Sequence, residues 1–202
     1  MERSKDPYHR MAKDFGFRSR AAFKLIEINR KFCVIRKGDV VLDVGAYPGG
    51  WLQVASKVVG PRGFIIGVDI KPIRELGLPN VKTIIGDICD ERLREELACI
   101  VPRKVDVILS DASPKLTGVW STDMARHIHI TCCVIKLANK LLKEGGVAVI
   151  KAFQGSELKD LISNLQLVFN KVRVFKPMAS RQKSREVYLI CKGFRGNNDI
   201  ST

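Results

Sequence analysis

The sequence predicts an α/β fold with a mostly parallel central sheet, an antiparallel C-terminal strand and helices on both faces. Short, nearly continuous apolar runs alternate along the chain with longer stretches of helical periodicity. Such runs are typical of parallel strands that helices cover on both sides. Near the C-terminus two further apolar runs, 171–175 and 187–191, are joined by a basic segment without helical periodicity. Strands joined in this way are most naturally antiparallel neighbours.

The first part of the chain predicts a helix and then a strand–turn–helix unit. Ala22, Leu25 and Ile26 share one helical face, which predicts a helix over residues 19–32 with Ser19 as its N-cap. The apolar run 39–44 predicts the first strand. Glycines follow it, and a helical stretch over 51–59 then ends at Gly60.

The same alternation continues to residue 168. Further apolar runs predict strands at 63–69, 81–85, 105–111 and 147–151. Helical periodicity predicts helices near 91–101, 123–143 and 156–168. With no linker or repeat, we expect one domain over 1–202, with a basic N-terminal extension and helix (1–38), a core (39–193) and a flexible tail (194–202).

Length and composition are those of one globular domain. The 202 residues are 46% hydrophobic and 28% charged, which suits a single core and excludes a disordered chain. No apolar run approaches the roughly 18 residues that a membrane span needs. The polar N-terminus lacks the apolar stretch of a secretory signal. We therefore expect a cytoplasmic monomer with no membrane partner.

The cysteines and histidines predict no metal site. The six cysteines form no C-x-x-C pair and have no paired spacing typical of zinc. Because reduced cysteine packs as a small hydrophobe, we expect free, buried thiols. His127 and His129 would lie on different faces of a helix, and His9 is remote from both.

Basic residues are concentrated at both ends of the chain. Of the net charge of +14, the segment 171–195 carries +7, because eight lysines and arginines accompany the single acid Glu186. The first twenty residues add +3. Solvated surface charge is the simple alternative, but the clustering favours a polyanionic partner such as a nucleic acid.

Five predicted strands end in glycine or a charged residue. These residues are Gly45, Asp69, Asp87, Asp111 and Lys151. Ligands bind outside the carboxyl ends of the strands in an open parallel sheet, so the set predicts a crevice. Taken singly, each carboxylate could be a helix or turn cap, and the lysine could be a solvated strand end.

The loop after the first strand favours a nucleoside cofactor without phosphate. Residues 43–51 read DVGAYPGGW, which is neither a phosphate-binding P-loop nor the G-x-G-x-x-G of dinucleotide sites. Its glycines allow the backbone to approach a ligand closely, and the next helix offers its N-terminus. Asp69 can accept hydrogen bonds from ribose hydroxyls, and Asp87 can accept one from an exocyclic amine.

Five motifs occur in order between residues 18 and 193. They are RSRAAFK (18–24), DVGAYPGGW (43–51), SDASP (110–114), VIKAFQG (149–155) and SREVY (184–188). With them the chain strongly resembles the FtsJ/RrmJ family, the ribosomal RNA large subunit methyltransferase E type. Two departures from the family pattern are Tyr47, where relatives usually carry a small residue, and Ala112-Ser113 in place of Met-Ala.

The resemblance implies a Rossmann-like S-adenosylmethionine-dependent methyltransferase fold. It also implies methylation of a ribose 2′-hydroxyl in RNA, typically of a uridine in large-subunit rRNA. The implied catalytic tetrad matches Lys24, Asp111, Lys151 and Glu186. The implied cofactor contacts match Gly49, Trp51, Asp69, Asp87 and Asp111, with Gly45 in the same loop. We expect the partner to be rRNA. The predicted RNA-binding residues are Arg18, Arg20, Arg181, Lys183 and Arg185.

Lys151 is the predicted general base, because a 2′-hydroxyl is a poor nucleophile until its proton is removed. Asp111 and Glu186 would orient the lysines and the ribose. If the last strand runs antiparallel to the others, Glu186 at its start lies at the same sheet edge as Asp111 and Lys151.

Other functions stay open on the sequence. Close relatives use the same tetrad on tRNA anticodon loops, so a tRNA ribose methyltransferase is the first alternative, although the short chain favours rRNA. A non-catalytic RNA-binding assembly factor could keep the fold, but it would have no physical reason to keep two lysines among carboxylates. The glycine spacing disfavours a nicotinamide dehydrogenase.

Overall fold

Seven strands and six helices make up residues 6–196, the part of the chain that this computed structural model describes. The strands are β1 (Val40–Val44), β2 (Phe64–Asp69), β3 (Val81–Ile85), β4 (Val105–Ser110), β5 (Leu142–Phe153), β6 (Phe169–Phe175) and β7 (Glu186–Phe194). The helices are α1 (Pro7–Asp14), α2 (Ala21–Phe32), α3 (Gly50–Val59), α4 (Glu91–Ile100), α5 (Trp120–Leu141) and α6 (Leu158–Val168). The strands form one sheet in the order β3-β2-β1-β4-β5-β7-β6.

The sheet confirms the predicted architecture. Strands β1 to β5 pair in parallel, whereas β7 lies antiparallel between β5 and β6. Helices α2 and α3 pack on one face, and α4, α5 and α6 pack on the other. The fold is therefore α/β with an antiparallel C-terminal strand and helices on both faces.

Alternate residues of the central strands enter two separate cores. Leu42 of β1 and Ile150 of β5 pack on the side of α4, α5 and α6. Val41 and Val149, from the same strands, pack on the side of α2 and α3. Burial of both faces explains the nearly continuous apolar runs, and each fully buried aliphatic side chain contributes about 1.5–3 kcal/mol.

Helix α1 was not predicted from the sequence. Asp6 caps it by accepting a hydrogen bond from the Tyr8 N–H at 3.1 Å, and Pro7 stands at its start. Both are recognised helix-start signals. The helix has only eight residues and is mostly polar, however, so it has few of the apolar residues from which the other helices were predicted.

The predicted N-cap of α2 is wrong. The helix begins at Ala21, and no side chain caps it. Ser19 instead packs closely against Gly50, where any Cβ atom would overlap the Ser19 Oγ atom. This close approach brings the start of α2 against the start of α3.

Strands β5 and β7 both extend beyond their predicted limits. β5 begins at Leu142, five residues before the predicted run 147–151, and its pairing with β4 passes through a register shift. β7 continues to Phe194, which is buried and lies 5.3 Å from Phe169 between ring centres. Residues 197–202 of the predicted tail lie outside the described residues. Among residues 6–196, no helix combines the length and apolarity needed to cross a membrane.

The expectation of free, buried thiols is wrong for most of the cysteines. Cys89 and Cys133 form a disulfide bond, and Cys33 and Cys99 are exposed. Among the free cysteines only Cys191 is buried, and burial raises the pKa of its thiol. The disulfide partners are 44 residues apart, a separation that local spacing patterns do not detect.

Candidate active site

The carboxyl ends of the parallel strands form one edge of the sheet, where the predicted site residues gather. The strand order reverses between β1 and β4, and ligands bind in α/β sheets at such a point. The glycine loop follows β1, and Asp111 directly follows β4. Because β7 is antiparallel, its first residue, Glu186, pairs with Phe153 at the end of β5. Glu186 therefore reaches the same edge as Asp111 and Lys151.

The four predicted catalytic residues meet as two lysine–carboxylate pairs. Lys151 Nζ donates to the main-chain oxygen of Asp111 at 2.6 Å and lies 3.3 Å from its Oδ1. Lys24, on α2, forms an ion pair with Glu186. The side chains are only 8% exposed for Lys151, 12% for Lys24, 16% for Glu186 and 19% for Asp111. Shielding from water strengthens these charge-assisted hydrogen bonds.

Tyr188 joins the two pairs, although it was not among the site residues predicted from the sequence. Its hydroxyl proton is shared between Asp111 Oδ1 at 2.7 Å and Glu186 Oε1 at 2.9 Å. The hydroxyl oxygen accepts a hydrogen bond from Lys24 Nζ at 3.2 Å. The side chain is fully buried. Its position two residues after Glu186 on a strand was the available signal, since such residues share one face of a sheet.

The charges around this centre have opposite effects on Asp111 and Tyr188. Burial by itself would raise the pKa of Asp111, but the charges of Lys151 and Lys24 and the Tyr188 hydrogen bond hold that pKa below its usual value. Burial, and then the charges of Asp111 and Glu186, raise the pKa of Tyr188 well above its usual value. Asp111 is therefore a carboxylate and Tyr188 a neutral hydrogen-bond donor at neutral pH.

Glycines shape the loop between β1 and α3. Gly45 has a φ of +75°, and a Cβ there would lie 2.6 Å from the backbone of Ala112. Only glycine allows the loop to pack against the end of β4 in this way. Gly49, with a φ of +109°, immediately precedes α3. As at any helix N-terminus, the first backbone N–H groups of α3 point away from the helix and can bind a ligand oxygen.

Asp69 and Asp87 are held at the ends of β2 and β3 by backbone hydrogen bonds. Asp69 Oδ2 accepts from the Tyr47 N–H and Oδ1 from the Lys71 N–H, both at 2.9 Å. Asp87 is exposed, and its Oδ1 accepts from the Cys89 N–H at 2.9 Å. A carboxylate has about four acceptor positions, so both residues retain capacity for a ligand.

The side chain of Trp51 belongs to the core. It is 3% exposed, and its Nε1 donates to the main-chain oxygen of Ala21 at 2.7 Å. Its ring also packs against Tyr188, with 5.7 Å between ring centres. Any cofactor contact at this position would therefore involve the backbone of Trp51 and not its indole.

Asp43 is a further polar residue of this region, at the end of the first strand of the glycine motif. It is completely buried, and neither carboxylate oxygen has a hydrogen-bond partner among residues 6–196. Burial, and then the charges of Asp111 and Asp69, raise its pKa well above the usual value. Because buried polar atoms are normally paired, this carboxyl is poised for a partner beyond these residues.

His127 supports the strand that carries Lys151. It is 1% exposed, and its Nε2 lies 2.9 Å from the main-chain oxygen of Lys151, to which the neutral ring donates. Its Nδ1 has no hydrogen-bond partner among the described residues. Burial lowers the pKa of His127 to about 4. The sequence spacing of this histidine bears only on metal binding and gives no sign of this role.

Arg18, a predicted RNA contact that stays a prediction, is hydrogen-bonded to the backbone of two loops. Its guanidinium donates to the main-chain oxygens of Pro48, Arg74 and Glu75. These contacts tie the glycine loop to the segment that follows β2. Because a guanidinium engaged with three carbonyls has few donors left, Arg18 is a support for the loop.

The other four predicted RNA contacts lie near the tetrad. Arg20 forms an ion pair with Asp6 and donates to the Ala179 main chain. Arg181 is exposed, with its Nε 3.8 Å from the same Asp6 carboxylate. Arg20, Arg181 and Lys183 line a cleft of about 440 Å³ together with Lys24, Ser184 and Glu186.

Arg185 is not one of the residues that line this cleft. Its guanidinium stacks 4.7 Å from the ring centre of Trp120, which is 39% exposed. Trp120 also packs edge-on to Phe153, at 6.3 Å between ring centres. An exposed arginine–aromatic pair beside the tetrad strand is chemically suited to a nucleic-acid base.

Comparison with known proteins assigns this arrangement to a family. The model of FtsJ-like methyltransferases matches residues 17–194. This chain belongs to the FtsJ-like methyltransferase family. The resemblance seen in the sequence is thus confirmed. The matched residues include both lysine–carboxylate pairs and the glycine loop.

Relatives in the family extend over nearly the whole chain. A ribosomal RNA large subunit methyltransferase E from Methanocaldococcus jannaschii is 42% identical over 97% of this chain and 81% of its own length. Another protein of the same name, from Methanobrevibacter smithii, is 40% identical over 96% of this chain and 93% of its own.

Solved structures agree with the fold. A ribosomal RNA methyltransferase from Plasmodium falciparum has a TM-score of 0.80 and 33% identity, covering 90% of this chain and all of that one. A fibrillarin from Aeropyrum pernix, solved with bound S-adenosylmethionine, has a TM-score of 0.59 at 18% identity, covering 86% of this chain and 74% of its own. The FtsJ-like chain thus has the Rossmann-like methyltransferase fold.

Proposed function

We propose that this protein transfers a methyl group from S-adenosylmethionine to a ribose 2′-hydroxyl of rRNA, on a uridine of the large ribosomal subunit. One observation carries the proposal: Lys24, Asp111 and Glu186 all contact the buried Tyr188 hydroxyl, and Lys151 contacts Asp111 beside the glycine loop. Membership of the FtsJ-like family supports methyl transfer, and the names of the relatives support rRNA as the substrate.

The residues around the glycine loop fit S-adenosylmethionine. Asp43 offers a buried carboxyl without a partner among residues 6–196. Asp69 and Asp87 offer acceptors suited to ribose hydroxyls and to an exocyclic amine, while Gly49 and Trp51 offer backbone at the start of α3. When bound, the cofactor supplies an electrophilic methyl group on a sulfonium.

Lys151 is the proton acceptor of the proposed reaction. The 2′-hydroxyl loses its proton to Lys151 Nζ as the oxygen takes up the methyl group, so the charged lysine that pairs with Asp111 must first release its own proton to solvent. The resulting ammonium is stabilised by Asp111, whose Oδ1 and main-chain oxygen both lie within 3.3 Å of Nζ. The geometry is fixed before RNA binds, which lowers the entropic part of the barrier.

Lys24 and Glu186 orient the reacting ribose in this proposal. Their ion pair is buried next to the Tyr188 hydroxyl, so neither side chain moves without breaking hydrogen bonds to charged groups. Glu186 and Lys24 also line the basic cleft. A ribose entering that cleft meets these two residues before it reaches Lys151.

A comparison of three RNA substrates tests the proposed function. Purified protein and radiolabelled S-adenosylmethionine would be incubated with large ribosomal subunits, protein-free rRNA and tRNA, all from cells lacking the methylation. We expect label in large-subunit rRNA. Label in tRNA alone would move the assignment to a tRNA ribose methyltransferase. Tight cofactor binding without label in any of the three would favour a non-catalytic RNA-binding role.

A further inference from the structure

Three potential metal ligands meet between α5 and the loop that precedes α4. Cys89 lies in that loop, and His129 and Cys133 lie one turn apart on α5. Their ligand atoms all lie within 4.8 Å of one another. Cys89 and Cys133 are joined as a disulfide, and Cys133 Sγ is 3.8 Å from His129 Nε2. None of the three takes part in the proposed methyl transfer.

We propose that the reduced protein binds one Zn²⁺ ion through Cys89, His129 and Cys133. Reduction of the disulfide by a phosphine and water gives two thiols and a phosphine oxide. Zinc then binds the two thiolates and the neutral imidazole, and the two thiol protons are released. The disulfide-bonded form and the zinc-bound form exclude each other, because a sulfur atom in a disulfide is not available as a thiolate ligand.

The ligand spacing suits a tetrahedral site. Residues four apart on a helix face the same side, which explains why His129 and Cys133 are neighbours. With zinc–sulfur and zinc–nitrogen bonds of about 2.3 and 2.05 Å, tetrahedral ligands are about 3.6 Å apart. The 3.8 Å between Cys133 Sγ and His129 Nε2 is close to that value. Cys89 needs only to rotate away from Cys133 once their bond is reduced.

The ligand chemistry selects zinc over harder ions. Two thiolates and an imidazole favour zinc and disfavour magnesium or calcium, which prefer oxygen. The two thiolate charges balance the charge of one divalent ion. Cys133 is buried, Cys89 is partly buried and His129 is exposed. The fourth position of a tetrahedral ion would therefore face solvent and take a water molecule.

The location gives this site a structural consequence. The Cys89 N–H donates to Asp87 Oδ1, so the loop that carries a proposed cofactor contact also carries a metal ligand. Zinc would tie this loop to α5, as the disulfide does. The reduced protein would thereby keep a cross-link between two elements that are distant in sequence.

Metal titration of the reduced protein tests the inference. Full-length protein would be reduced with a phosphine, freed of metal, and titrated with Co²⁺ as a spectroscopic probe and with Zn²⁺ in competition with a chromophoric chelator. We expect one equivalent to bind, with a thiolate-to-cobalt charge-transfer band that Zn²⁺ removes. The protein with an intact disulfide should bind neither ion at this site.

Matched variants assign the ligands. Loss of an outer-shell partner alone weakens metal binding by about 10- to 100-fold, so we expect at least about 100-fold weaker binding in Cys89→Ser and His129→Gln. His129 is exposed, so its variant should fold normally. Cys132→Ser, on the same helix, and His9→Gln should bind as the parent does.

Two results would overturn the proposal. One is a reduced, folded protein that binds no Zn²⁺ or that binds only Cu⁺. The other is binding that His129→Gln or Cys89→Ser leaves unchanged. Far-ultraviolet circular dichroism of each reduced protein would verify folding, so a failure to bind remains interpretable.

Discussion

Lys151 and Tyr188 stand directly opposite each other in the antiparallel pairing of β5 and β7. Both side chains reach the same atom, Asp111 Oδ1, at 3.3 Å from Lys151 Nζ and 2.7 Å from the Tyr188 hydroxyl. Cross-strand partners lie on the same face of a sheet, so this contact is a property of the register. A register shift of one residue would turn one of these side chains to the other face.

Tyr188→Phe should slow methyl transfer while leaving cofactor binding nearly unchanged. The variant removes a hydroxyl that is hydrogen-bonded to two carboxylates and a lysine. Hydrogen bonds to charged groups are worth about 1.5–3 kcal/mol, which corresponds to about 10- to 100-fold in rate if the loss falls on the transition state. Single-turnover rates and calorimetric cofactor affinities would measure the two effects.

Tyr8→Phe is the control for this change, because its ring lies on α1 outside the tetrad. It should keep the parent rate. Equal rates for Tyr188→Phe and Tyr8→Phe would show that the shared hydroxyl does not organise the reacting groups.

Lys151→Met should lower the rate of methyl transfer by about 10²- to 10⁴-fold, the usual contribution of general acid–base catalysis. Methionine keeps an unbranched side chain that is only one atom shorter, but it has no amine to accept the proton. It also removes a charge that lowers the pKa of Asp111. Cofactor affinity should change little, which calorimetry would measure.

Lys143→Met is the matched control, because Lys143 lies on the same strand, β5, near its other end. There it pairs with Asp106. A Lys151→Met protein that turns over as fast as Lys143→Met would remove Lys151 from the role of base.

Arg181→Gln combined with Lys183→Gln should weaken RNA binding and reduce its salt dependence. Both residues are exposed and line the basic cleft. Each phosphate contact contributes about 0.7–0.9 to the slope of log affinity against log salt, so the double variant should lower the slope by about 1.4–1.8. Fluorescence anisotropy at several salt concentrations would measure it.

Lys37→Gln with Arg62→Gln removes the same charge at the opposite end of the sheet, before β1 and β2. This pair should leave the slope close to that of the parent. If both double variants lowered the slope equally, the RNA would be held by overall charge rather than by the cleft.

His127 should make the stability of the protein depend on pH between about 6.5 and 4. The unfolded histidine binds a proton near its usual pKa of 6.5, whereas burial lowers the folded pKa to about 4. The unfolded state therefore binds more protons in this range, and the free energy of unfolding falls as the pH falls. At pH 5 the loss is about 2 kcal/mol relative to neutral pH.

Urea unfolding of the parent and of His127→Gln at pH 7.5 and pH 5 would measure this contribution. The variant should lose about 2 kcal/mol less than the parent on acidification, because glutamine does not titrate. His129→Gln, an exposed histidine on the same helix, should keep the parent's dependence. Identical pH dependence in His127→Gln and the parent would contradict the assignment.

Sheet topology and the meeting of Asp111, Lys151 and Glu186 were accessible from the sequence pattern, whereas Lys24 was assigned only through the family resemblance. Buried parallel strands must be apolar on both faces, so charged residues at their ends stand out, as Asp111 does after β4. The antiparallel direction of β7 then follows from its short connection, and it brings Glu186 to the same edge.

Other features depend on contacts that residue types do not encode. The hydrogen bonds from the Arg18 guanidinium to backbone carbonyls of two loops could not be predicted from the sequence. Trp51 was matched by motif, whereas its indole is packed in the core. Cys89 and Cys133 are brought together by the packing of α5 against the loop that precedes α4, and neither sequence position suggests the other.

The site of methylation tests the central claim most directly. RNA labelled by the parent enzyme would be subjected to alkaline hydrolysis, which a 2′-O-methyl group blocks at the modified nucleotide. We predict label at one alkali-resistant position, on a uridine of large-subunit rRNA, and far less label with Lys151→Met after the same reaction time. Label on a base, or an equal amount of 2′-O-methyl label with Lys151→Met, would contradict the account.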